Sequence, residues 1–464
     1  MFYGRESELS KLEKLYSTDK YQCAVVYGRR RVGKTTLIGK FCEGKQVLFF
    51  SALETTADEN LKEFSQALNV FLYPDSTAQS NYLSIADIFD KIAEEAKKER
   101  FVFVMDEYPY LAKSDASVSS RLQHLIDHKL SKTNIFMIIC GSSMSFMENQ
   151  VLGYQSPIYG RRTAQFKLEP LNYRLAACAY PNLSHEKQVE VYGAVGGIPH
   201  YLNNLDIGKD GDVDYAITNR LLERSSYLFE EPANLLKQEL REPATYNAII
   251  TAVASGATKL NEIATRTGLE GGLCSKYLTT LISLELVGKK IPILEKAKNK
   301  SIYYLKDNLF NFWYRFVPGN MSMITANKND KVFKTEVRPF MNTYLSRVFE
   351  DICIQYLTHF ADLPFDLKDI GSWWGGNPET KQQEEIDILA IGYSDAIFGE
   401  CKWQNEPIDL AILKNLQRKA TLFNEFSTKY FYLFSKSGFT NAVIEQSHND
   451  NSIRLISVDD LYNK

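Results

Sequence analysis

A glycine-rich run near the N-terminus ends in a lysine and two threonines. The run consists of Gly28, Arg29, Arg30, Arg31, Val32, Gly33, Lys34, Thr35 and Thr36. It matches G-x-x-x-x-G-K-[ST] without a mismatch and lies between an apolar strand candidate, 23–27, and a helical stretch, 37–41. Glycines let backbone N–H groups converge on phosphate oxygens at a helix N-terminus. We therefore predict a nucleotide site in which Lys34 reaches the β- and γ-phosphates and the Thr35 hydroxyl binds Mg²⁺.

Two acids follow a second apolar strand candidate, residues 101–105. Asp106 and Glu107 stand at its end, which is the Walker B arrangement. We expect Asp106 to hold Mg²⁺ through water, and Glu107 to orient or deprotonate the attacking water. A strand that simply ends in solvated acids is the alternative, but the presence of the phosphate loop favours the functional interpretation.

Polar and basic residues follow two further segments of the first half. Residues 135–140 form another strand candidate and run into Gly141, after which Ser142 or Ser143 is a candidate sensor of the γ-phosphate. Arg161 and Arg162 are candidates for an arginine finger, which stabilises charge in a phosphoryl-transfer transition state. The alternatives are an ordinary turn at a strand end and a solvated basic turn.

Two acids and a lysine near the C-terminus are spaced for facing strands. Residues 385–390 alternate between polar and apolar, and residues 396–403 follow after a turn, so the pair predicts a hairpin. Glu400 and Lys402 then point to one face, with Asp387 on the facing strand. Two carboxylates can hold a divalent metal that activates water and clamps a phosphodiester, and a lysine can offset developing charge. An ordinary hairpin with polar residues facing water is the alternative.

The segment from about residue 245 to 310 has the pattern of a helix-turn-helix with a wing. It comprises three helical stretches and two strand candidates: 245–255, 260–269, 272–284, 286–290 and 301–305. In such a domain the second helix of the motif enters the major groove of DNA and the wing contacts phosphates.

The predicted wing is basic. Its lysines, opposed mainly by Glu295, are Lys289, Lys290, Lys296, Lys298 and Lys300. The candidate recognition helix has one basic residue, Lys276, so we expect phosphate-dominated, salt-sensitive DNA binding without readout through arginine–guanine pairs. Two alternatives stay open: a winged helix that mediates protein contacts, and a lysine-rich loop that is merely solvated.

Short, continuously apolar runs separated by helical patterns predict the scaffold that positions these residues. Four such runs read as parallel strands covered on both faces, which indicates a doubly wound α/β fold: 23–27, 47–50, 101–105 and 135–139. Helical periodicity, as in 215–229, then predicts a small helical lid. We divide the chain into a P-loop core at 1–175, a helical lid at 176–240, a winged helix at 241–315 and a C-terminal α/β domain at 330–464.

Composition excludes several classes of protein. The chain has 464 residues, of which 44% are hydrophobic and 24% charged, and a formal net charge of −3, so a nucleic-acid partner would need a local basic patch. Seven scattered cysteines without a C-x-x-C pair argue against a disulfide framework and a zinc site. Since the sequence has no apolar run long enough to span a bilayer and no signal pattern, we expect a cytoplasmic protein without a membrane partner.

Taken in order, the motifs of the first half resemble those of the archaeal-type ATPases, a branch of the P-loop NTPases related to AAA+ proteins. The resemblance rests on the stretches 2–9, 28–36, 106–108, 141–143, 160–162 and 196–202. It implies an ATPase core that binds ATP and Mg²⁺, followed by a helical lid. Residues 4–6 resemble the N-terminal box that packs near the adenine, and residues 196–199 resemble the start of the lid.

The C-terminal residues resemble the PD-(D/E)XK, or restriction-endonuclease-like, fold over roughly residues 335–440. Such a domain is commonly appended to archaeal-type ATPases. Glu350, in a helical stretch, matches the acid often found on the first helix of that fold. The resemblance implies a metal site formed by Glu350, Asp387 and Glu400, in which Asp387, Glu400 and Lys402 are the catalytic residues.

Two hypotheses of function follow. In the first, the protein is a DNA-associated ATPase, in which the nucleotide state moves the lid and the winged helix and controls a Mg²⁺-dependent cut. In the second, it is a nucleotide-dependent signalling switch or scaffold with a C-terminal domain that does not cleave. In either case AAA+-like cores often assemble, and Arg161 or Arg162 could complete the site of a neighbouring subunit in a homo-oligomer.

Overall fold

The computed structural model describes residues 2–75, 82–295, 300–377 and 381–463, and the contacts within the chain define two compact units. The first unit consists of residues 1–170 together with 198–200, and the second of residues 171–197 and 201–464. The first unit ends close to the boundary predicted at residue 175. The segments predicted as lid, winged helix and C-terminal domain fall in the second unit, except for residues 198–200 of the lid.

The first unit is an alternation of strands and helices. Its elements are α1 (Glu6–Tyr16), β1 (Gln22–Tyr27), α2 (Lys34–Cys42), β2 (Val47–Ser51), α3 (Ala57–Leu72), α4 (Ile85–Glu95), β3 (Val102–Asp106), α5 (Tyr108–Ser114), α6 (Val118–His128), β4 (Phe136–Gly141), α7 (Met144–Phe146) and β5 (Ala164–Lys167). The strands form one parallel sheet in the order β2-β3-β4-β1-β5. This order places the carboxyl ends of β3, β4 and β1 side by side.

The sheet is covered on both faces. Every residue of β1 is buried, and its side chains alternate between two apolar clusters. Cys23 and Val25 pack with residues of α3 to α6, whereas Ala24 and Val26 pack with residues of α1 and α2. Because both faces are apolar, the strands read as continuous apolar runs, and the predicted α/β core is confirmed.

The second unit begins with helices and ends with a mixed sheet. Its elements are α8 (Tyr173–Ala177), α9 (His185–Val195), α10 (Pro199–Leu205, whose first two residues belong to the first unit), α11 (Val213–Leu221), α12 (Tyr227–Glu239), α13 (Pro243–Ala254), α14 (Leu260–Thr267), α15 (Gly271–Ser283), β6 (Val287–Lys290), β7 (Ile302–Leu305), α16 (Asn308–Phe316), α17 (Met321–Thr325), α18 (Asn329–Val332), α19 (Met341–His359), β8 (Asp369–Gly376), β9 (Gln383–Ile391), β10 (Asp395–Lys402), α20 (Leu410–Ala420), β11 (Thr428–Ser435), α21 (Asn441–Asn449), β12 (Ile453–Ser457) and α22 (Val458–Tyr462).

The helical stretch predicted over 215–229 is divided in the structure. α11 ends at Leu221, and α12 begins at Tyr227. Between them the N–H of Ser226 donates to the carbonyl of Glu223 at 2.9 Å, which closes a turn. Hydrophobic periodicity does not reveal such a turn, because it is formed by polar residues whose bonds are local.

Helices α13, α14 and α15 precede the antiparallel pair β6–β7, in which Val287 pairs with Leu305. These elements share one apolar core that includes Ile263, Leu278 and Leu281. The three helices and the two strands that the sequence indicates in this segment are therefore present.

The C-terminal sheet has the order β12-β11-β10-β9-β8. β8, β9 and β10 pair antiparallel, whereas β10, β11 and β12 pair parallel. Phe398 of β10 packs in a cluster with Leu416 of α20, and Trp403 contacts Phe349 of α19, with ring centroids 5.0 Å apart. Alternate residues of β10 thus face α20 and α19. None of the helices in the described part of the chain is long and apolar enough to cross a membrane.

Candidate functional site

The phosphate-loop residues 28–33 lie in the turn between β1 and α2. A Cβ on Gly28 would lie 2.4 Å from the carbonyl oxygen of Leu168, so no side chain fits there. Gly33 has a φ of 94°, a left-handed conformation that glycine adopts without strain, immediately before α2. The path of the backbone therefore requires both glycines of the pattern. Of the other loop residues, Arg29 and Val32 are buried.

Lys34 points back into this loop. Its ammonium group donates hydrogen bonds to the carbonyl oxygens of Gly28 and Arg29, at 2.9 and 3.0 Å. Burial lowers the pKa of Lys34, an effect opposed in part by the acids Glu107 and Asp106. Phosphate oxygens would be stronger partners for this cation than neutral carbonyls, because hydrogen bonds between charged groups are about twice as strong. The buried lysine therefore fits a bound triphosphate.

Oxygen ligands suited to Mg²⁺ lie beside Lys34. The Thr35 hydroxyl donates to Oδ2 of Asp106 at 3.3 Å, and Oδ1 of Asp106 accepts from the backbone N–H of Glu107 at 3.0 Å. A hydroxyl and a carboxylate are ligands that Mg²⁺ prefers, so this pair fits the ion. Thr36, the last residue of the predicted motif, is exposed in α2.

Glu107 and Ser142 meet where β3 and β4 end. Oε2 of Glu107 accepts hydrogen bonds from the backbone N–H of Ser142 at 3.1 Å and from its hydroxyl at 2.9 Å. Ser142, predicted as a γ-phosphate sensor, therefore contacts the predicted catalytic acid. Glu107 has a φ of 49°, a strained conformation for a residue with a side chain, of the kind found at functional sites.

Sequence reasoning missed two supports of the loop. The guanidinium of Arg5 is buried and donates to the carbonyl oxygens of Val32, at 3.1 Å, and of Glu169. The guanidinium of Arg30 donates to the Tyr110 hydroxyl at 2.6 Å, which connects the loop to α5. The sequence marks Arg5 through its position in the N-terminal box, although not this role, and nothing in the sequence marks Tyr110.

Arg161 and Arg162 lie just before β5, at the end of the sheet opposite the phosphate loop. The N–H of the next residue, Thr163, donates to the carbonyl of Cys23, near the start of β1. Gly28 is five residues further along, about 16 Å at 3.3 Å per residue, so the backbone of both arginines lies at the end of the strands away from the phosphate loop. The arginine finger predicted for Arg161 or Arg162 stays a prediction.

Arg161 and Arg162 differ in the partners that their guanidinium groups have. Arg161 makes a bidentate ion pair with Asp127, with both N···O distances 2.7 Å, and donates to the carbonyls of Pro157 and Tyr159. Arg162 donates to the carbonyl of Leu152 at 3.4 Å. Because Arg161 is engaged within the unit, Arg162 is the better candidate for a finger that serves a neighbouring subunit, which stays a prediction.

The C-terminal lysine and glutamate form the predicted pair. Nζ of Lys402 lies 2.6 Å from Oε1 of Glu400, and Nζ of Lys419, on α20, lies 3.4 Å from Oε2 of the same residue. The side chains of Glu400 and Lys419 are about nine-tenths buried. Sequence reasoning missed Lys419, because its distance along the chain from Glu400 carries no motif. Two lysines thus face one carboxylate.

Asp387 and Glu350 are acids whose pKa values are raised by burial and by neighbouring carboxylates. Oδ2 of Asp387 accepts from the backbone N–H of Cys401 at 2.8 Å. Burial, followed by the charge of Glu400, raises the pKa of Asp387 to about 6. Burial, followed by the charge of Asp387, raises the pKa of Glu350 to about 8. Perturbed carboxyl groups of this kind cluster at functional sites, although structural networks also produce them.

The three carboxylates do not gather into one metal site. Within residues 2–75, 82–295, 300–377 and 381–463, no group of three or more His, Cys, Asp or Glu side chains is placed to hold a metal ion. Glu350 belongs to α19, whereas Glu400 lies on the face of β10 that carries Phe398 and α20. The expected triple of Glu350, Asp387 and Glu400 is therefore not formed, and Asp387 with Glu400 is the pair that fits a divalent ion.

Three lysines of the predicted wing, among the described residues, contact other side chains of the chain. Lys290 forms an ion pair with Asp351 of α19 at 2.9 Å, and Lys300 forms one with Glu295. Lys289 is exposed and lies over the ring of Tyr303. Two further wing lysines, Lys296 and Lys298, lie outside the described residues. On the candidate recognition helix α15, Lys276 is exposed, as expected.

A parallel sheet with this loop after β1 and with Asp106-Glu107 after β3 defines a P-loop ATPase. The comparisons agree with this class. Residues 2–205 match the model of an ATPase domain found predominantly in Archaea, and residues 313–421 match a family of archaeal and bacterial proteins of unknown function. An uncharacterized protein of Methanocaldococcus jannaschii is 33% identical over 451 residues, which cover 94% of this chain and 96% of the relative. The chain belongs to this family of archaeal ATPases.

Solved structures support the fold. A Walker-type ATPase of Pyrococcus abyssi aligns with a TM-score of 0.53 at 19% identity, over 68% of this chain and 96% of that one. The ORC1 protein of Aeropyrum pernix, solved in complex with DNA, aligns with a TM-score of 0.37 at 13% identity, over 71% of this chain and 95% of that one. The first alignment supports the α/β fold, and the second is too remote to support an argument.

Proposed function

We propose that the protein is a DNA-associated ATPase whose C-terminal domain carries a nuclease-like, Mg²⁺-dependent site. In the ATPase core, Lys34 binds the β- and γ-phosphates, Thr35 and Asp106 hold the ion, and Glu107 orients or deprotonates the attacking water. Bound Mg²⁺ would offset the charge that develops on the phosphates. The contact between Glu107 and Ser142 restrains the acid until nucleotide binds.

The proposal for the C-terminal domain rests on one observation: Asp387 and the pair Glu400–Lys402 lie together on the adjacent strands β9 and β10. Asp387 and Glu400 offer carboxylate oxygens to Mg²⁺ once Glu400 exchanges a lysine partner for the ion. Bound Mg²⁺ would supply an activated water for attack on a phosphodiester. Lys402 is placed to donate to the phosphate as its negative charge grows.

The proposed DNA contact uses the helix-turn-helix segment. Lys276 on α15 and Lys289 on β6 are exposed, whereas Lys290 is engaged with Asp351. Among the described residues of the segment, this distribution favours contacts between α15 and phosphates, whose affinity falls as the salt concentration rises. Binding to duplex DNA measured over a range of salt concentrations, in wild type and K276A, tests this contact.

The experiment for cleavage uses supercoiled plasmid with Mg²⁺ or Mn²⁺, with and without ATP. We expect nicking by the wild type, and loss of nicking in Asp387→Ala and Lys402→Ala. Lys414→Ala, an exposed lysine of α20, is the matched control and should nick like wild type. Nicking that persists unchanged in both site variants would show that the cleavage does not depend on Asp387 and Lys402.

One observation favours a second candidate function, a nucleotide-dependent switch or scaffold that does not cleave. Lys402 and Lys419 together offset the charge of Glu400 and compete with a metal ion for it. If plasmid is bound but not cut under any of these conditions, the C-terminal domain serves binding alone. Lys419→Ala then separates the two cases, because removal of one competing lysine should increase Mn²⁺ affinity only if Glu400 is a ligand.

A further inference from the structure

Two histidines lie one turn apart on α6. They are His124 and His128, and both are exposed. Their ring centroids are 4.4 Å apart, and the ring planes make an angle of 48°. Residues four positions apart lie on one face of a helix, so the backbone of α6 brings the two imidazoles together. Leu122, Leu125 and Ile126 anchor the other side of this helix in the apolar core of the first unit. The pair therefore stands on a helix whose position is fixed by packing.

The ring nitrogens of both histidines are available to a ligand from solvent. Across the described ranges 2–75, 82–295, 300–377 and 381–463, neither imidazole forms a hydrogen bond or an ion pair. The contact between the two rings is thus the main contact that each imidazole makes. Two adjacent imidazoles without other partners are a donor pair that a single metal ion can join.

Asp127 shares this face of α6, but its carboxylate is held elsewhere. Nε and Nη2 of Arg161 donate to its two oxygens, each at 2.7 Å. The carboxylate neutralises the guanidinium, so a cation at the histidines would not meet an unpaired positive charge. With Asp127 engaged in this way, the face offers two protein ligands, and water would supply the others.

We propose that His124 and His128 form a chelating site for one divalent transition-metal ion of the Zn²⁺ class. A Zn–N bond is about 2.0–2.1 Å long, and two rings at this separation can each place one nitrogen at that distance from a shared ion. Imidazole suits Zn²⁺, Cu²⁺ and Ni²⁺, whereas Mg²⁺ prefers oxygen ligands. The ligand chemistry therefore separates this site from the pair Thr35 and Asp106 at the phosphate loop.

Chelation determines what the loss of one histidine should do. Once one imidazole holds the ion, the other binds it within the same molecule, at a high effective concentration. Removal of either histidine should therefore lower the affinity by at least about tenfold. Because the ion joins two residues of one helical turn, it binds folded α6 better than the unfolded chain. Zn²⁺ should therefore raise the melting temperature of the first unit.

Competition with a chromophoric Zn²⁺ chelator, in the absence of nucleotide and Mg²⁺, tests the proposal on the full chain. Cys178 is an exposed thiol that could also bind Zn²⁺, so every protein carries Cys178→Ser. We expect H124Q and H128Q to bind Zn²⁺ at least about tenfold more weakly than the parent, and to lose the rise in melting temperature. H448Q changes an exposed histidine of α21 and should behave as the parent.

Two double variants separate chelation from the mere number of histidines. In H128Q, the additional change Ser120→His places a histidine four positions before His124, at an exposed site of α6, and should restore tight binding. The additional change Ser131→His instead places it beyond the end of α6 and should not restore binding. Equal Zn²⁺ affinity in the parent, H124Q and H128Q would overturn the assignment. So would a loss in H448Q as large as that in H124Q, or restoration of tight binding by Ser131→His.

Discussion

Replacement of Glu350 by glutamine should stabilise the C-terminal domain at neutral and alkaline pH. Glu350 is half-buried on α19, and burial followed by the charge of Asp387 raises its pKa from 4.5 to about 8. In the unfolded chain the same group ionises at its ordinary pKa. Between these two values the folded protein holds a proton that the unfolded chain has released, so stability falls as the pH rises through this range.

The shift sets the expected size of the effect. One pKa unit corresponds to about 1.4 kcal/mol, so the raised pKa of Glu350 lowers the free energy of unfolding by about 3 kcal/mol at pH 7 and about 5 kcal/mol at pH 9, relative to low pH. Glutamine keeps the shape of the protonated acid and does not ionise. Glu350→Gln should therefore recover most of this free energy at pH 9 and almost none at pH 4.

Tryptophan fluorescence during urea denaturation is the assay. Three of the four tryptophans lie in the C-terminal domain, and Trp403 contacts Phe349, the neighbour of Glu350. The transition of this domain should shift to higher urea in Glu350→Gln, increasingly so from pH 5 to pH 9. Glu425→Gln changes an exposed acid of the same domain and should leave the transition where it is in wild type. If the urea concentration at the midpoint of the transition changed with pH in the same way in wild type and Glu350→Gln, the reasoning would be refuted. Such a result would mean that Glu350 has the same pKa in the folded and the unfolded protein.

Three further predictions concern the ATPase core. Lys34→Ala should abolish retention of ATP, measured by equilibrium filtration, because it removes the only ammonium that points into the described loop. Glu107→Gln should keep ATP binding while turnover, measured as phosphate release, falls by about 10²- to 10⁴-fold, the usual contribution of a general base. Arg5→Met should lower the melting temperature of the first unit, followed by circular dichroism, since it leaves the carbonyls of Val32 and Glu169 without their buried donor.

The parts of the fold that the sequence predicts are those with a local pattern. β1, β3 and β4 are buried at every residue and mostly apolar because both sheet faces are covered, so short apolar runs reveal them. An apolar run does not predict β5, because only Phe166 of its four residues is buried. Hydrophobic periodicity does not predict the break between α11 and α12 either, because the turn at Glu223 is closed by a backbone hydrogen bond.

In the candidate site, too, the sequence predicts the residues that form a local pattern and not those that packing brings together. The residues of the phosphate loop are adjacent in the chain, and their spacing alone indicates the chemistry. The contact of Glu107 with Ser142 depends on the order of the strands, which no periodicity encodes. Lys419 approaches Glu400 only because α20 packs against the even-numbered face of β10. Long-range contacts of this kind follow from packing, and a single sequence does not specify them.

The hairpin predicted as a DNA-binding wing illustrates how packing changes the meaning of a charge pattern. Ile293, just after β6, lies in the apolar core of the C-terminal domain, and its N–H donates to the carbonyl of Ser372 at 3.0 Å. Lys290 pairs with Asp351, which follows Glu350 on α19. A lysine held by a carboxylate is less available to a DNA phosphate, since leaving that partner would give up the ion pair of a partly buried charge. The predicted helix-turn-helix segment and the proposed carboxylate site are therefore parts of one compact unit, so the effect of a substitution at either one should be measured at both.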